Sequence, residues 1–180
     1  VIIATGDESF AMHDMVYIGV HRLLGEVIKL DGKSATIQCY EDTSGMKIGE
    51  EVITTNAPLS LSLGPGMIGS VYDGIQRPLK MLEEISGPFI KKGVQISSLD
   101  EQKKWHFTPT VSIEDTVEYN FILGTVKETE SITHKILYPN HQSAKILEIA
   151  PEGDYCINDT IAKVQFPDGQ TLELTMVQKW

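Results

Sequence analysis

Chemistry in this chain would have to come from a few groupings of side chains. Gly64-Pro65-Gly66 could cradle an anion on backbone N–H groups, but no G-x-x-x-x-G-K-[ST] loop occurs anywhere in the sequence. Without the lysine, the hydroxyl and a following helix start, the stretch reads as a hinge. Asp73 and Arg77 stand four residues apart in a loop bounded by glycine and proline, which suits a turn-stabilising or surface ion pair better than a catalytic one. Glu50-Glu51 and Glu83-Glu84 could act as acid and base, yet adjacent residues point apart, so both pairs read as solvated faces. His13, His21, His106, His134 and His141 form no H-x-x-x-H pair, and Cys39 and Cys156 form no C-x-x-C. Both cysteines lie in alternating apolar runs and read as small buried thiols of a reducing compartment; a disulfide between them stays open. Asn158-Asp-Thr160 matches a glycosylation sequon, but Val1–Ala4 is too short an apolar opening for a secretory leader. No catalytic, cofactor-binding or metal-ligating residue is assigned.

Composition narrows the class further. The chain has 180 residues, 41% of them hydrophobic and 22% charged, enough to bury a core and too apolar for disorder. The net charge is -10, and residues 1–100 and 101–180 each carry -5. Neither part can neutralise phosphates, so nucleic acid is excluded as a partner. No apolar run reaches the ~18 residues of a membrane span, which excludes direct membrane insertion by a helix.

The elements that would position these groups are mostly strands. Leu24–Leu30 and Ser34–Tyr40 alternate on either side of Asp31-Gly32, a strong hairpin signal. With Val1–Ala4, Met15–Ile18, Val52–Thr55 and Leu59–Leu63 they make about six short strands, spaced as in a small closed barrel. Glycines and prolines then break the rhythm, and Leu79–Ile85, after Pro78, has helical spacing. From Trp105 the strands return: Trp105–Val111, Phe121–Val126, Ile132–Tyr138, Ala144–Ile149, Thr160–Phe166 and Thr171–Met176. Trp105 and Phe107 flank His106 and anchor this second core. The fold class is therefore mainly β: a six-stranded-type antiparallel barrel over 1–63, a connector with one short helix over 64–104, and a β insert over 105–180.

Within the insert, Ile113–Val126 and Pro151–Val164 echo each other: an acidic turn, an apolar residue, a polar gap, then a strand. The echo predicts two half-barrels packed face to face. The region resembles the barrel-sandwich hybrid of biotinyl and lipoyl carrier domains, which present a modifiable lysine on a hairpin. Here that hairpin reads Glu128-Thr129-Glu130-Ser131, with Lys127 and Lys135 only flanking it. A hydroxyl stands where the acylated amine would be, so this is the carrier fold without carrier chemistry.

A longer resemblance covers nearly the whole chain. Tyr40–Gly45, Leu63-Gly-Pro-Gly-Met-Ile-Gly-Ser70, Tyr72-Asp-Gly-Ile-Gln-Arg-Pro-Leu79, Phe89–Gly93, Trp105-His-Phe-Thr-Pro109, His134–Pro139 and Leu174–Trp180 occur in that order. Together they resemble the amino-terminal part of the catalytic A subunit (alpha chain) of V-type and archaeal A-type rotary ATPases. The related ATP synthase beta chain shares the small barrel but not 105–180, the insertion called the bulge or non-homologous region. The resemblance implies a non-catalytic fragment of a machine that couples ATP turnover to H+ or Na+ transport. ATP and Mg2+ would be handled by the parent beyond Trp180, and not by this fragment. It further implies a barrel that lacks its first strand and sits in a hexamer ring, alternating with the B subunits. The insert would dock the peripheral stalk, with its start near Gln102–Trp105 and its end near Met176–Trp180 as antiparallel neighbours. The location implied is cytoplasmic, in the head of a peripheral membrane complex. The alternative is a free-standing carrier-like or ligand-binding β-domain.

Overall fold

Asp31-Gly32 does reverse the chain, but one residue later than the alternation suggests. In the computed structural model, which describes residues 1–6 and 10–180, β3 (Leu23–Asp31) and β4 (Ser34–Cys39) pair with Asp31 opposite Ser34. The two turn residues are thus Gly32 and Lys33, and Gly32 supplies the positive φ of 59° at the first of them. β1 (Ile2–Thr5), β2 (Asp14–Ile18) and β5 (Val52–Pro58) complete an antiparallel sheet of order β1-β4-β3-β2-β5. Its buried face carries Ala4, Val16, Ile18, Leu23, Val27, Ala35, Ile37 and Cys39. The period-2 pattern of β3 and β4 places these side chains on one side of the pleat.

Leu59–Leu63 behaves differently from its pattern. Only Ser62–Leu63 forms a strand (β6), and it pairs with β15 (Gln178–Lys179), outside the five-stranded sheet. Leu59 and Leu61 remain exposed, because their alternation meets no second sheet. The expected helix is present as α1 (Leu79–Ser86), led by Pro78 at φ -65° and closed by the Gly87 N–H donating to the Glu83 carbonyl. Its amphipathic pattern buries only Leu82.

Two compact units emerge. One comprises Val1–Leu61 with Tyr72–Ile96, the other Ser62–Val71 with Ser97–Trp180. The glycine- and proline-rich stretch between barrel and insert is therefore shared between them.

The second unit holds two four-stranded antiparallel sheets. One is ordered β10 (Thr133–Leu137), β9 (Ile122–Lys127), β7 (Lys104–Pro109), β12 (Gly153–Cys156). The other is ordered β14 (Thr171–Leu174), β13 (Ala162–Gln165), β11 (Ala144–Ile149), β8 (Thr116–Val117). The internal echo is real, but its halves interleave. Ile113–Val126 gives edge strand β8 to one sheet and inner strand β9 to the other; Pro151–Val164 gives edge strand β12 and inner strand β13 in the reverse sense. Each half thus completes the other's sheet, and neither is a half-barrel by itself. One core joins Val117, Leu123, Tyr138, Ile146, Val164 and Leu174 across both sheets. The second gathers Leu99, Trp105, Phe107, Val126, Ile136, Ile157, Ile161 and Met176, so Trp105 and Phe107 do anchor the unit.

Candidate functional site

Asp73 and Arg77 do pair, and they are more enclosed than a surface ion pair. The Arg77 Nε donates to Asp73 Oδ2 at 2.8 Å, while the backbone N–H groups of Ile75 and Arg77 donate to Asp73 Oδ1. The guanidinium also donates to Glu41 Oε1 at 2.9 Å and to the Val94 carbonyl. Glu41 in turn accepts the Gly93 N–H at 2.7 Å. Side chains of Arg77 and Glu41 are each 12% exposed, so the ions are partly desolvated and held by a forked geometry. Burial would raise the Asp73 carboxyl, but the donors from Arg77 and Ile75 outweigh it and hold the group below the usual range. The arrangement ties three loops of the first unit together and leaves no free carboxylate for acid–base work. Spacing alone did not reveal Glu41, which is 36 residues from Arg77.

The Gly64–Gly66 stretch does bind an anion, and that anion is internal. The N–H groups of Gly66 and Ile68 donate to Glu128 Oε1 at 2.7 and 3.1 Å, and His134 Nδ1 lies 3.2 Å from Oε2. With its amide donors already engaged and no lysine beside them, this loop does not fit a nucleotide phosphate or its magnesium. At the hairpin itself, the Glu128 and Thr129 N–H groups donate to the Ile132 carbonyl, and Glu130 and Ser131 form an exposed tip. Lys127 ends β9 and Lys135 lies inside β10, so neither lysine is a residue of that tip.

The remaining candidates disperse. Glu50 accepts from the N–H groups of Lys47 and Val20 and acts as a turn cap, while Glu83 and Glu84 lie exposed on α1. His13 and Tyr40 both engage Glu26, and the Tyr40–Glu26 bond pushes the Tyr40 phenol up to about 12. His141 stacks on Tyr119 with ring centroids 4.0 Å apart. Cys39 is buried and Cys156 half-buried; both are free thiols, and burial raises that of Cys39. Among the described residues, no group of three or more His, Cys, Asp and Glu side chains could hold a metal ion.

His106 has the most polarised surroundings of the five histidines. It faces Asp154 across the β7–β12 ladder, with Nδ1 2.8 Å from that carboxylate and Nε2 3.1 Å from Glu152. The bond to Asp154, then that to Glu152, raises its pKa above the ordinary imidazole value. A raised folded-state pKa gives stability that is fully present below about pH 6.5, the unfolded value, and is lost as pH rises through the folded one. The melting-temperature gap between wild type and His106→Gln should therefore be widest in mild acid and close on the alkaline side. A gap that widens with rising pH would contradict the pairing.

A cleft of about 640 Å³ runs along edge strand β1, lined on its other side by Met46–Val52 at the start of β5. Among the described residues β1 pairs with β4 alone, and Val1 and Ile3 are 72% and 69% exposed. Both outer strands of the sheet thus present unpaired backbone, the usual template for a further strand.

Comparison with known proteins agrees with these parts. Residues 1–56 match the family described as "ATP synthase alpha/beta family, beta-barrel domain", and residues 96–180 match the barrel-sandwich domain of ATP synthase alpha/beta subunits. The chain is 49% identical over 179 residues to the A subunit of the A-type ATP synthase of Desulfurococcus sp. (strain SY), covering 99% of this chain and 31% of that protein. It is 46% identical over 179 residues to the subunit of the same name from Thermococcus kodakarensis, again 99% and 31%. With that of Thermofilum pendens the identity is 44% over 180 residues, or 100% and 30%. The chain thus spans less than a third of the length of these relatives. It belongs to the ATP synthase alpha/beta family, and carries that family's β-barrel and barrel-sandwich regions.

Proposed function

We propose that this chain is the non-catalytic amino-terminal region of the A subunit of a V/A-type rotary ATPase, and that it works through contacts. The first compact unit, Val1–Leu61 with Tyr72–Ile96, supplies the barrel that joins an alternating ring with the B subunits, and the second, built around 105–180, supplies the insert that docks the peripheral stalk. The observation that carries this reading is the insert's construction: two interleaved sheets with buried cores. Such a module holds its own shape, and a body with its own packed cores is what a torque-resisting contact needs. No residue of the chain is assigned to ATP, Mg2+ or catalysis; in the parent these belong to the remaining two thirds.

The cleft beside β1 fits the same picture. A further strand added at this edge would pair with β1 and close the barrel. No helix among the described residues is long and apolar enough to cross a membrane. In this reading the chain sits in the cytoplasmic head, peripheral to the membrane. The free-standing carrier reading is weaker, because the hairpin tip offers Glu130 and Ser131 and no amine.

Titrating the 180-residue chain with the peripheral stalk subcomplex of an A-type enzyme tests the docking reading. Saturable binding of one chain per stalk site is expected. Absence of binding at tens of micromolar, with the chain folded by circular dichroism, would overturn it.

A further inference from the structure

We infer that Glu128 is a built-in anion, which fills a backbone anion site on the 62–71 segment and so latches that segment onto the β9–β10 hairpin. The Glu128 side chain is 2% exposed, and the described contacts to its carboxylate come from backbone amides and a histidine ring rather than from Lys or Arg. Its partners are two converging amides, from Gly66 and Ile68, and the half-buried His134 ring. Amides aimed at one point form an anion-binding concavity without any basic side chain.

The segment is shaped for this. Gly66 has a φ of 103°, a conformation that L side chains rarely adopt, and a Cβ there would stand 3.3 Å from the Trp105 ring. The Ser70 N–H donates to the Met67 carbonyl, and the Ser70 hydroxyl donates to the Gly66 carbonyl. These bonds hold the Gly66 and Ile68 amides pointing the same way before any anion arrives. On the other side, the Glu128 N–H is fixed to Ile132, so the carboxylate comes from a rigid hairpin. The contact closes a gap of 62 residues in sequence.

Its position gives the latch a task. The chain leaves the first compact unit after Leu61 and returns to it at Tyr72. Between these points, β6 pairs with β15 at the far end of the chain, and Glu128 holds the next turn. The exit strand β15 was expected beside Gln102–Trp105, but it pairs with Ser62–Leu63 instead. The latch therefore secures the one short segment against which the end of the insert is paired, whatever the parent protein does.

Glu128→Ala removes the anion and leaves space for a small one. Amide exchange at Gly66 and Ile68 should accelerate by about 10- to 100-fold, as expected for losing a hydrogen bond to a charged acceptor. Acetate should restore protection in this variant in a saturable way, whereas isosteric neutral acetamide should not. Unchanged exchange at both amides, or equal rescue by acetamide, would overturn the inference. Should Glu128→Ala fail to fold, wild-type protein gives the answer. Scalar couplings through the hydrogen bonds from the Gly66 and Ile68 amides to the Glu128 carboxylate are expected, and their absence overturns it equally.

Discussion

Arg77→Ala should destabilise the first unit by about 1–3 kcal/mol, the cost of leaving the half-buried Glu41 and Asp73 carboxylates without their cation. Asp73 keeps its backbone donors from Ile75 and residue 77, but Glu41 keeps only the Gly93 N–H. Against a total stability of roughly 5–15 kcal/mol, that loss is a sizeable fraction. Arg77→Lys should recover only part of it, since an ammonium cannot offer one N–H to Asp73 and another to Glu41 in a fixed fork. Urea denaturation followed by amide exchange in β3 and β4 measures the effect. The same network carries an acid dependence. The Asp73 carboxyl is held low in the folded state, so its contribution is present above the ordinary carboxylate value and falls away as pH drops through the lowered one. A change below about 1 kcal/mol for Arg77→Ala, the range of exposed pairs, would mean that the network is solvated.

In the second unit, Phe107→Ala should cost about 3–5 kcal/mol, because the ring is fully buried at the centre of the core around Trp105 and Met176. Gly124 shows how tightly that ring is held. A Cβ on Gly124 would lie 2.2 Å from Phe107 Cε2 and 2.8 Å from the Thr108 carbonyl oxygen. Gly124→Ala alone should therefore cost about 1–3 kcal/mol from overpacking. The two changes should couple. With Phe107→Ala in place, the methyl at position 124 enters the vacated space, and the double variant should be more stable than the sum of the singles. A double-mutant cycle by denaturation should give an interaction energy of about 0.5–3 kcal/mol. Strict additivity would place the ring elsewhere.

How far these features were legible follows from their range in sequence. Alternation and turn residues report local geometry, so the β3–β4 hairpin, α1 and most insert strands could be read directly. The turn shifted by one residue because Asp31 still pairs, leaving the positive φ to Gly32 alone. Leu59–Leu63 misled because alternation says nothing of whether a partner sheet exists. The short strands β8, β12 and β15 carry too few residues to show a period. Glu41 and Glu128 were visible only as members of motifs. Their roles depend on partners 36 and 62 residues away, brought close by the fold. The amides of the glycine stretch, which the sequence offered only as a hinge, hold Glu128.

We propose that residues 105–180 act as a docking body. The direct measurement is the coupling ratio of a complete A-type ATPase in which residues 105–176 of this region are replaced by a short linker. ATP hydrolysis and ion transport are recorded on the same preparation, beside an assay for bound stalk. Hydrolysis that persists while transport or stalk assembly is lost is the expected result. A fully coupled enzyme with its stalk in place would contradict it.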